Sequence, residues 1–254
     1  MKTISMLKAI IPVEQSLTDR WDREWLNYFL AQDEDARVFY VPYDQLNVAI
    51  SLPGRKAADV FTTNLCASRY DWLVEPLKIW TDGDDLVNKN VLEIGCGPGY
   101  LGKQIGLVAK SYIGIDYSKL ALYIACLTSP GNCHYYHLSE LDAISKHAIT
   151  MDTMVGREFF IHQNFQNTIW LLELAMLLLR PCGLVCADFY LGNPAIPQGV
   201  IHPAKSSLDP TYPSCGFQFE EQEILEVAKE VGFAVEKIID QLDLQRRFVH
   251  FRKP

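Results

Sequence analysis

Glu93, Gly95, Gly97 and Gly99 fall at every second position of Val91-Leu92-Glu93-Ile94-Gly95-Cys96-Gly97-Pro98-Gly99-Tyr100. The apolar start, β-branched at both ends, reads as a buried strand that runs directly into a glycine turn. Residues without Cβ let such a turn take positive φ and let a ligand lie against backbone. The helix that follows offers N–H groups without intrahelical partners, suited to an anionic or polar group. Twenty-one residues beyond Gly95, Asp116 closes a second short apolar run, Ile113-Gly114-Ile115. A carboxylate there can accept both hydroxyls of a ribose, and the adjacent Tyr117 can lie on an adenine ring. The pair of motifs points to a cofactor built on a nucleoside.

Three kinds of ligand compete for the turn, and register decides among them. Gly97, Gly99 and Gly102 fit the dinucleotide spacing G-x-G-x-x-G, and Gly97 to Lys103 fits the phosphate-loop spacing G-x-x-x-x-G-K. Both begin two residues beyond the natural end of the strand, and Gln104 stands where a phosphate loop needs Ser or Thr for magnesium. In the dinucleotide register that starts at Gly95, the third glycine would be Tyr100, which is too large.

The register that keeps the strand, Glu93-x-Gly95-x-Gly97-x-Gly99, resembles the first motif of the class I S-adenosylmethionine-dependent methyltransferases. The resemblance covers roughly residues 91–252 and implies S-adenosyl-L-methionine as cofactor, with S-adenosyl-L-homocysteine as product. It implies that Glu93 helps to hold the amino-acid end of the cofactor over Gly95, Cys96, Gly97 and Gly99, with Asp116 and Tyr117 at the nucleoside. Ser139-Glu140-Leu141 sits where that family places an acid or small polar group near adenine, so Glu140 and Leu141 join the cofactor set, with Asp142 as the alternative acid. Asp152-Thr153-Met154-Val155-Gly156 resembles the family's fourth strand, and Gly156 suits close approach to the methionine part. Leu178-Leu179-Arg180-Pro181-Cys182-Gly183 resembles the L-L-x-P-G-G turn into strand five, with Cys182 replacing a glycine.

These residues need a scaffold, and the chain supplies its rhythm. Strands are expected at 91–94, 112–115, 134–138, 152–156, 184–190, 233–239 and 246–252. Helices alternate with them at about 100–109, 118–127, 140–147, 164–180 and 220–231. Such alternation predicts an α/β fold, a doubly wound and mostly parallel seven-stranded sheet covered on both faces. The Gln241–Gln245 connection is too short for a crossover, so the last strand must run antiparallel to its predecessor. Residues 89–254 form the cofactor-binding domain. Residues 1–88 contain no strand–glycine–helix unit and form an N-terminal helical part, in which Trp21, Trp25, Leu26, Phe29 and Leu30 recur at helical spacing behind an N-cap at Thr18 or Asp19. In methyltransferases of the resembled kind, such a part is a lid over the cofactor.

Residues 191–216 carry five prolines and three glycines without periodicity and leave strand five beside the expected cleft. They are assigned to the acceptor site. Candidate catalytic side chains at that edge are His162, Glu158 and Tyr190. His162 lies where many of the resembled enzymes carry a histidine, and could serve as general base or pack against the next helix. Arg157-Glu158 could orient a charged acceptor or satisfy itself, and Tyr190 reads as acceptor lining. Strand four ends in Gly156-Arg157-Glu158 rather than an acidic cluster, so no metal is expected.

Composition limits the rest. The net charge of −8 argues against nucleic acid as partner. The longest apolar run, Ile169 to Leu179, is far shorter than the roughly 20 residues of a membrane span. Seven scattered cysteines without a C-x-x-C pair, and a start without a cleavage site, fit reduced thiols and a cytoplasmic protein. The expected activity is methyl transfer to an oxygen, carboxylate or hydroxyl, of a small molecule or short peptide, as in natural-product biosynthesis. A small-amine N-methyltransferase is the nearest alternative. An NAD(P)-dependent oxidoreductase or a non-catalytic cofactor-binding module are the alternatives of other classes.

Overall fold

In the computed structural model, the structure describes residues 18–19, 21–22, 25, 85–191, 201–202, 216–242 and 246–254. Strand β1 (Asn90–Ile94) leads through the glycine turn into helix α1 (Tyr100–Val108). Then follow β2 (Ser111–Asp116), α2 (Lys119–Thr128), β3 (Cys133–His137) and α3 (Leu141–Ile144), which tightens into a 3-10 turn over Ser145–His147. Strand β4 (Met151–Gly156), a 3-10 turn over Phe160–His162, α4 (Phe165–Leu178) and β5 (Leu179–Tyr190) come next. The chain closes with β6 (Ile201–His202), β7 (Gly216–Phe217), α5 (Glu221–Val231), β8 (Ala234–Gln241) and β9 (Arg246–Arg252).

Seven strands make one sheet in the order β3-β2-β1-β4-β5-β9-β8. Strands β1 to β5 pair in parallel, whereas β9 lies antiparallel between β5 and β8. The expected sheet is therefore found, including the antiparallel last strand. That strand distinguishes it from the dinucleotide order, in which all six strands are parallel.

Alternation along the strands divides the core in two. Leu92, Ile94, Ile113, Ile115, Val185 and Phe189 face α3, α4 and α5. Val91, Tyr112, Val155, Cys186 and Phe248 face α1. Because Glu93 pairs with Gly114, Asp116 projects on the same side as Glu93, the side of α1. Caps fix where helices start. Ser118 accepts from Ala121 N at 3.0 Å at the head of α2, and Asn164 accepts from Asn167 N at 2.8 Å at the head of α4. Glu220 and Glu223 form a capping box for α5, and Gly232 ends it at φ 96°.

Most boundaries fall within two residues of expectation. The main exception is β5, expected over 184–190, which begins at Leu179 because that residue already pairs with Met151 of β4; the expected helix over 164–180 accordingly stops at Leu178. Pairing resumes at Thr153 opposite Leu184, so 180–183 bulge out of register. Residues 191–216 are not without strand: β6 and β7 pair Ile201 with Phe217 and His202 with Gly216. The remainder of the expected acceptor loop lies outside the described residues. So does the helical part over 1–88, apart from Thr18, Asp19, Trp21, Asp22, Trp25 and residues 85–88.

Cys182, in that bulge, is exposed and sits at φ 60°, the left-handed region that favours glycine. The turn has thus kept the backbone of the resembled P-G-G sequence without its residue. A side chain in that region costs roughly 1–2 kcal/mol, partly offset by the extra backbone entropy that glycine loses on folding. Cys182→Gly should raise stability by about 1 kcal/mol, read as a higher urea midpoint at unchanged slope.

Candidate functional site

The glycine turn presents bare backbone at the C-terminal edge of the sheet, where open α/β sheets bind ligands. Gly95, Gly97 and Gly99 have φ of 73°, 51° and 82°. Gly95 N and Cys96 N both donate to Ile115 O, at 2.8 and 3.2 Å, and tie the turn to β2. A Cβ on Gly95 would stand 2.2 Å from the Phe159 ring, and one on Gly97 would stand 2.7 Å from the Trp25 indole. The missing Cβ atoms thus let two flat side-chain rings rest directly on this backbone. Gly99 serves differently: its missing Cβ admits Ala125 and Ser129 of α2. Cys96 is buried and turned inward, so only its backbone shapes the turn.

Asp116 is the hinge of the site. Its Oδ2 accepts from Gly97 N and its Oδ1 from Ser118 N, each at 2.8 Å. Burial pushes its carboxyl up to about 6, although backbone N–H groups of Ser118, Gly97 and Tyr117 pull the other way. Glu93 is buried on the same face, and Tyr112 Oη donates to its Oε2 at 2.5 Å. Burial pushes this acid up to about 8, with the Tyr112 hydrogen bond opposing and the charge of Asp116 adding to the rise. Among the described residues, neither acid has a lysine or arginine partner. The site therefore holds two buried acids set for hydrogen-bond donors or a cation. Tyr117 is buried and stacks on Phe159 at 6.1 Å between centroids.

Beyond β3, His137 organises the expected adenine end. Its Nε2 lies 2.8 Å from Tyr117 O, to which it donates, and 2.9 Å from Thr18 Oγ1. Its Nδ1 accepts from Ser139 N at 3.3 Å, which fixes the neutral tautomer, and burial lowers its pKa. Glu140 accepts from His137 N at 2.7 Å, which fastens its carboxylate to the end of β3. Leu141 is buried at the start of α3.

The other end lies past β4. Gly156 belongs to the opposite face, where a Cβ would meet the Phe160 ring at 2.5 Å and Ile94 at 3.1 Å. Ring packing by itself is reason enough for glycine at this position. Glu158, at φ 58°, forms ion pairs with Arg157 and, at 3.1 Å, with Arg246. Burial alone would raise its pKa, but the two guanidinium groups win and hold it below the ordinary range. Asp188 is fully buried, paired with Arg157, and accepts from Glu158 N at 2.8 Å. The Arg246 guanidinium lies 4.0 Å over the Tyr190 ring. Glu158 is thus spent on arginines, a poor state for a proton acceptor. His162 ends the 3-10 turn, edge-on to Trp21 at 5.0 Å. Two residues on, Asn164, Phe165, Gln166, Phe217, Gln218, Phe219 and Glu223 line a cavity of about 190 Å³. Its Gln218 wall is bridged to Tyr190 of β5. Among the described residues, no three His, Cys, Asp or Glu side chains gather as a metal site.

The sequence reading missed Phe159, His137, Asp22 and Arg246. Arg246-Arg247, a charged pair in an apolar strand, was the one local signal, while the other three betray themselves only through distant partners.

No family model matches the chain. The ribosomal protein L11 methyltransferase of Colwellia psychrerythraea is 30% identical over 149 residues, 52% of this chain and 47% of the relative. A ubiquinone biosynthesis O-methyltransferase of Aromatoleum aromaticum is 33% identical over 94 residues, 35% of this chain and 40% of the relative. The chain thus spans about half the length, or less, of the curated relatives it matches. Among solved structures, an S-adenosylmethionine-dependent methyltransferase from Mesorhizobium loti superposes with TM-score 0.56 at 15% identity, covering 74% of this chain and 100% of that one. Magnesium protoporphyrin IX methyltransferase of Synechocystis with bound S-adenosylmethionine gives 0.54 at 13% identity, covering 97% and 99%. The fold is that of the class I S-adenosylmethionine-dependent methyltransferases.

The two raised acids carry a pH signature. A carboxyl whose folded pKa exceeds its unfolded value binds its proton more tightly when folded, so stability falls as pH rises between the two values. The window runs from about 4 to 6 for Asp116 and from about 4.5 to 8 for Glu93. The ligand-free protein should lose stability between pH 6 and 8, and Glu93→Gln should flatten that slope. Urea midpoints at pH 6, 7 and 8 measure it, and a slope unchanged in the variant would contradict the assignment.

Proposed function

We propose that this chain transfers the methyl group of S-adenosyl-L-methionine to an oxygen of a small molecule or short peptide. One observation carries the reading most: a buried aspartate at the end of β2, its two oxygens aligned by Gly97 N and Ser118 N, beside a glycine turn that carries flat rings on bare backbone. An acid so placed suits the hydroxyls of a ribose, and bare backbone beside it suits the close approach of the rest of the cofactor. The pairing of Asp116 with a second cation-free buried acid, Glu93, suits a ligand that is itself cationic.

When bound, the cofactor supplies a methyl group already activated by its sulfonium. The chain's own task is to align and to handle a proton. Asp116 would hold the ribose hydroxyls, and the turn from Gly95 to Gly99 would carry the methionyl part, with Glu93 beneath it. Tyr117, Glu140 and Leu141 would border the base. Positioning of this kind supplies a large share of a displacement's rate, up to roughly 7–11 kcal/mol in well-oriented reactions.

At the other end, His162 would take the proton of an acceptor hydroxyl, whereas a carboxylate acceptor would need no base. Tyr190 would line the acceptor site under Arg246, and Glu158 would hold Arg157 and Arg246 in place rather than move protons. The cavity between the head of α4 and residues 217–219 has three phenylalanine walls and room for about one ring, since a void of roughly 150 Å³ accepts benzene. It supports an acceptor with an apolar cyclic part. Oxygen is favoured by the absence of an amine-clamping N/D-P-P-Y sequence near β4 and by the likeness to an O-methyltransferase.

Calorimetric titration with S-adenosylhomocysteine, NADH and ATP tests the class. Binding of the first alone is expected, and binding of NADH or ATP without it would reject the proposal. Asp116→Asn should weaken S-adenosylhomocysteine binding by about tenfold or more, the loss of one or two charge-assisted hydrogen bonds. His162→Ala should leave that affinity unchanged and lower methyl transfer to a phenolic acceptor by about 10²–10⁴-fold. A mild effect on both would remove His162 from the base role.

A further inference from the structure

Thr18, Trp21, Asp22 and Trp25 are helical and touch the end of β3 and the segments that follow β1, β2 and β4. Asp22 Oδ1 accepts from Ser118 Oγ at 2.6 Å and from Leu120 N at 2.9 Å, at the head of α2. Ser118 N in turn holds Asp116 Oδ1, and Gly97 N holds Asp116 Oδ2. Trp25, three residues beyond Asp22 and hence its neighbour on a helix surface, rests its indole on Gly97. The contacts close a ring: Asp22, Ser118, Asp116, Gly97, Trp25. Two more tethers flank it, Thr18 on His137 and Trp21 on His162.

This ring is more than packing. Asp22 brings a third carboxylate toward Asp116 and contributes to the rise of its pKa. Like charges so placed are a cost that a solvated packing face would avoid, and the cost is repaid by fixing the two groups that align Asp116. Ser118 faces the acid through its N–H and faces Asp22 through its hydroxyl, so the orientation of one partner sets the other.

We propose that Asp22 is a positioning residue of the cofactor site: through Ser118 it fixes Asp116, and it holds Trp25 as the wall over Gly97. The inference rests on the reading of Asp116 as the ribose acid and adds to it a part of the chain remote in sequence. Asp22 does not touch the reacting atoms. It acts by keeping the carboxylate and the wall in place before the cofactor arrives, so its contribution is affinity.

A double-mutant cycle on the full chain decides it. Asp22→Asn and Ser118→Ala should each weaken S-adenosylhomocysteine binding by about tenfold, and the double variant should be no weaker than either, a coupling of about 1.4 kcal/mol. Additive losses, or unchanged affinity in Asp22→Asn, would overturn the proposal. Circular dichroism and urea midpoints show whether the variants stay folded. A second readout needs no cofactor: the emission of Trp25, taken as wild type minus Trp25→Phe, should shift to the red in Asp22→Asn. Emission that stays put means that Asp22 does not hold the indole, and the wall role fails. If the wild type binds no S-adenosylhomocysteine while the emission shifts, the latch stands as geometry and the cofactor reading is what fails.

Discussion

The site depends on one buried carboxylate that joins two chain segments which share no regular pairing. Asp116 accepts from the glycine turn after β1 through Gly97 N and from the head of α2 through Ser118 N. The turn is thereby fixed by β2 on both sides, since Gly95 N and Cys96 N also donate to Ile115 O. Backbone N–H groups at a helix start are a natural seat for negative charge. Here they offset only part of the desolvation, and the acid is left with a raised pKa. A ligand that brings hydroxyl donors or positive charge completes what the backbone leaves unfinished. Strain of this sort, held by an over-determined surrounding, is how a protein keeps a site ready.

What could be read from the sequence was what depends on near neighbours. The strand, turn and helix around Gly95 lie within a dozen residues, and the required backbone conformations are glycine's own, so type and spacing declared them. The parallel sheet followed from alternation, and the antiparallel β9 from a connection too short to cross over. The failures share a different cause. The helix over 164–180 ran too far because nothing in an apolar run marks the residue at which pairing with Met151 begins. The packing reason for Gly156, room for Phe160 and Ile94 on the other face of the sheet, was equally hidden, because no local pattern names those partners. Glu158 was left open between a charged-acceptor role and self-satisfaction. Arg246 tips the balance toward the second, and it stands 88 residues away. No local pattern encodes a pairing at that distance. The same holds for Asp22 and Ser118, 96 residues apart.

The two ends of the sheet edge are electrically unlike, and the contrast gives each a task. At the acceptor end, Arg157 and Arg246 meet Glu158 and Asp188, two charges of each sign, nearly all buried. Such a group is costly to assemble but cancels its own field, and removing any one member would strand a buried charge. Its Arg246 member lies over the Tyr190 ring. At the cofactor end, Glu93 and Asp116 have no cationic partner among the described residues; burial pushes Glu93 up to about 8, so at neutral pH the charge there is that of Asp116, with Asp22 close by. A cationic ligand entering the cleft therefore meets attraction at one end only. An acceptor entering at the other meets a surface that neither draws nor repels charge strongly. Orientation would follow from this asymmetry, because a sulfonium-bearing nucleoside reversed in the cleft would exchange the charge of Asp116 and its neighbour Asp22 for a neutral quartet. Phe159 and Trp25 lie on the glycine turn beside the acids that lack a described cation, whereas the quartet, already balanced, tolerates a partly exposed Glu158.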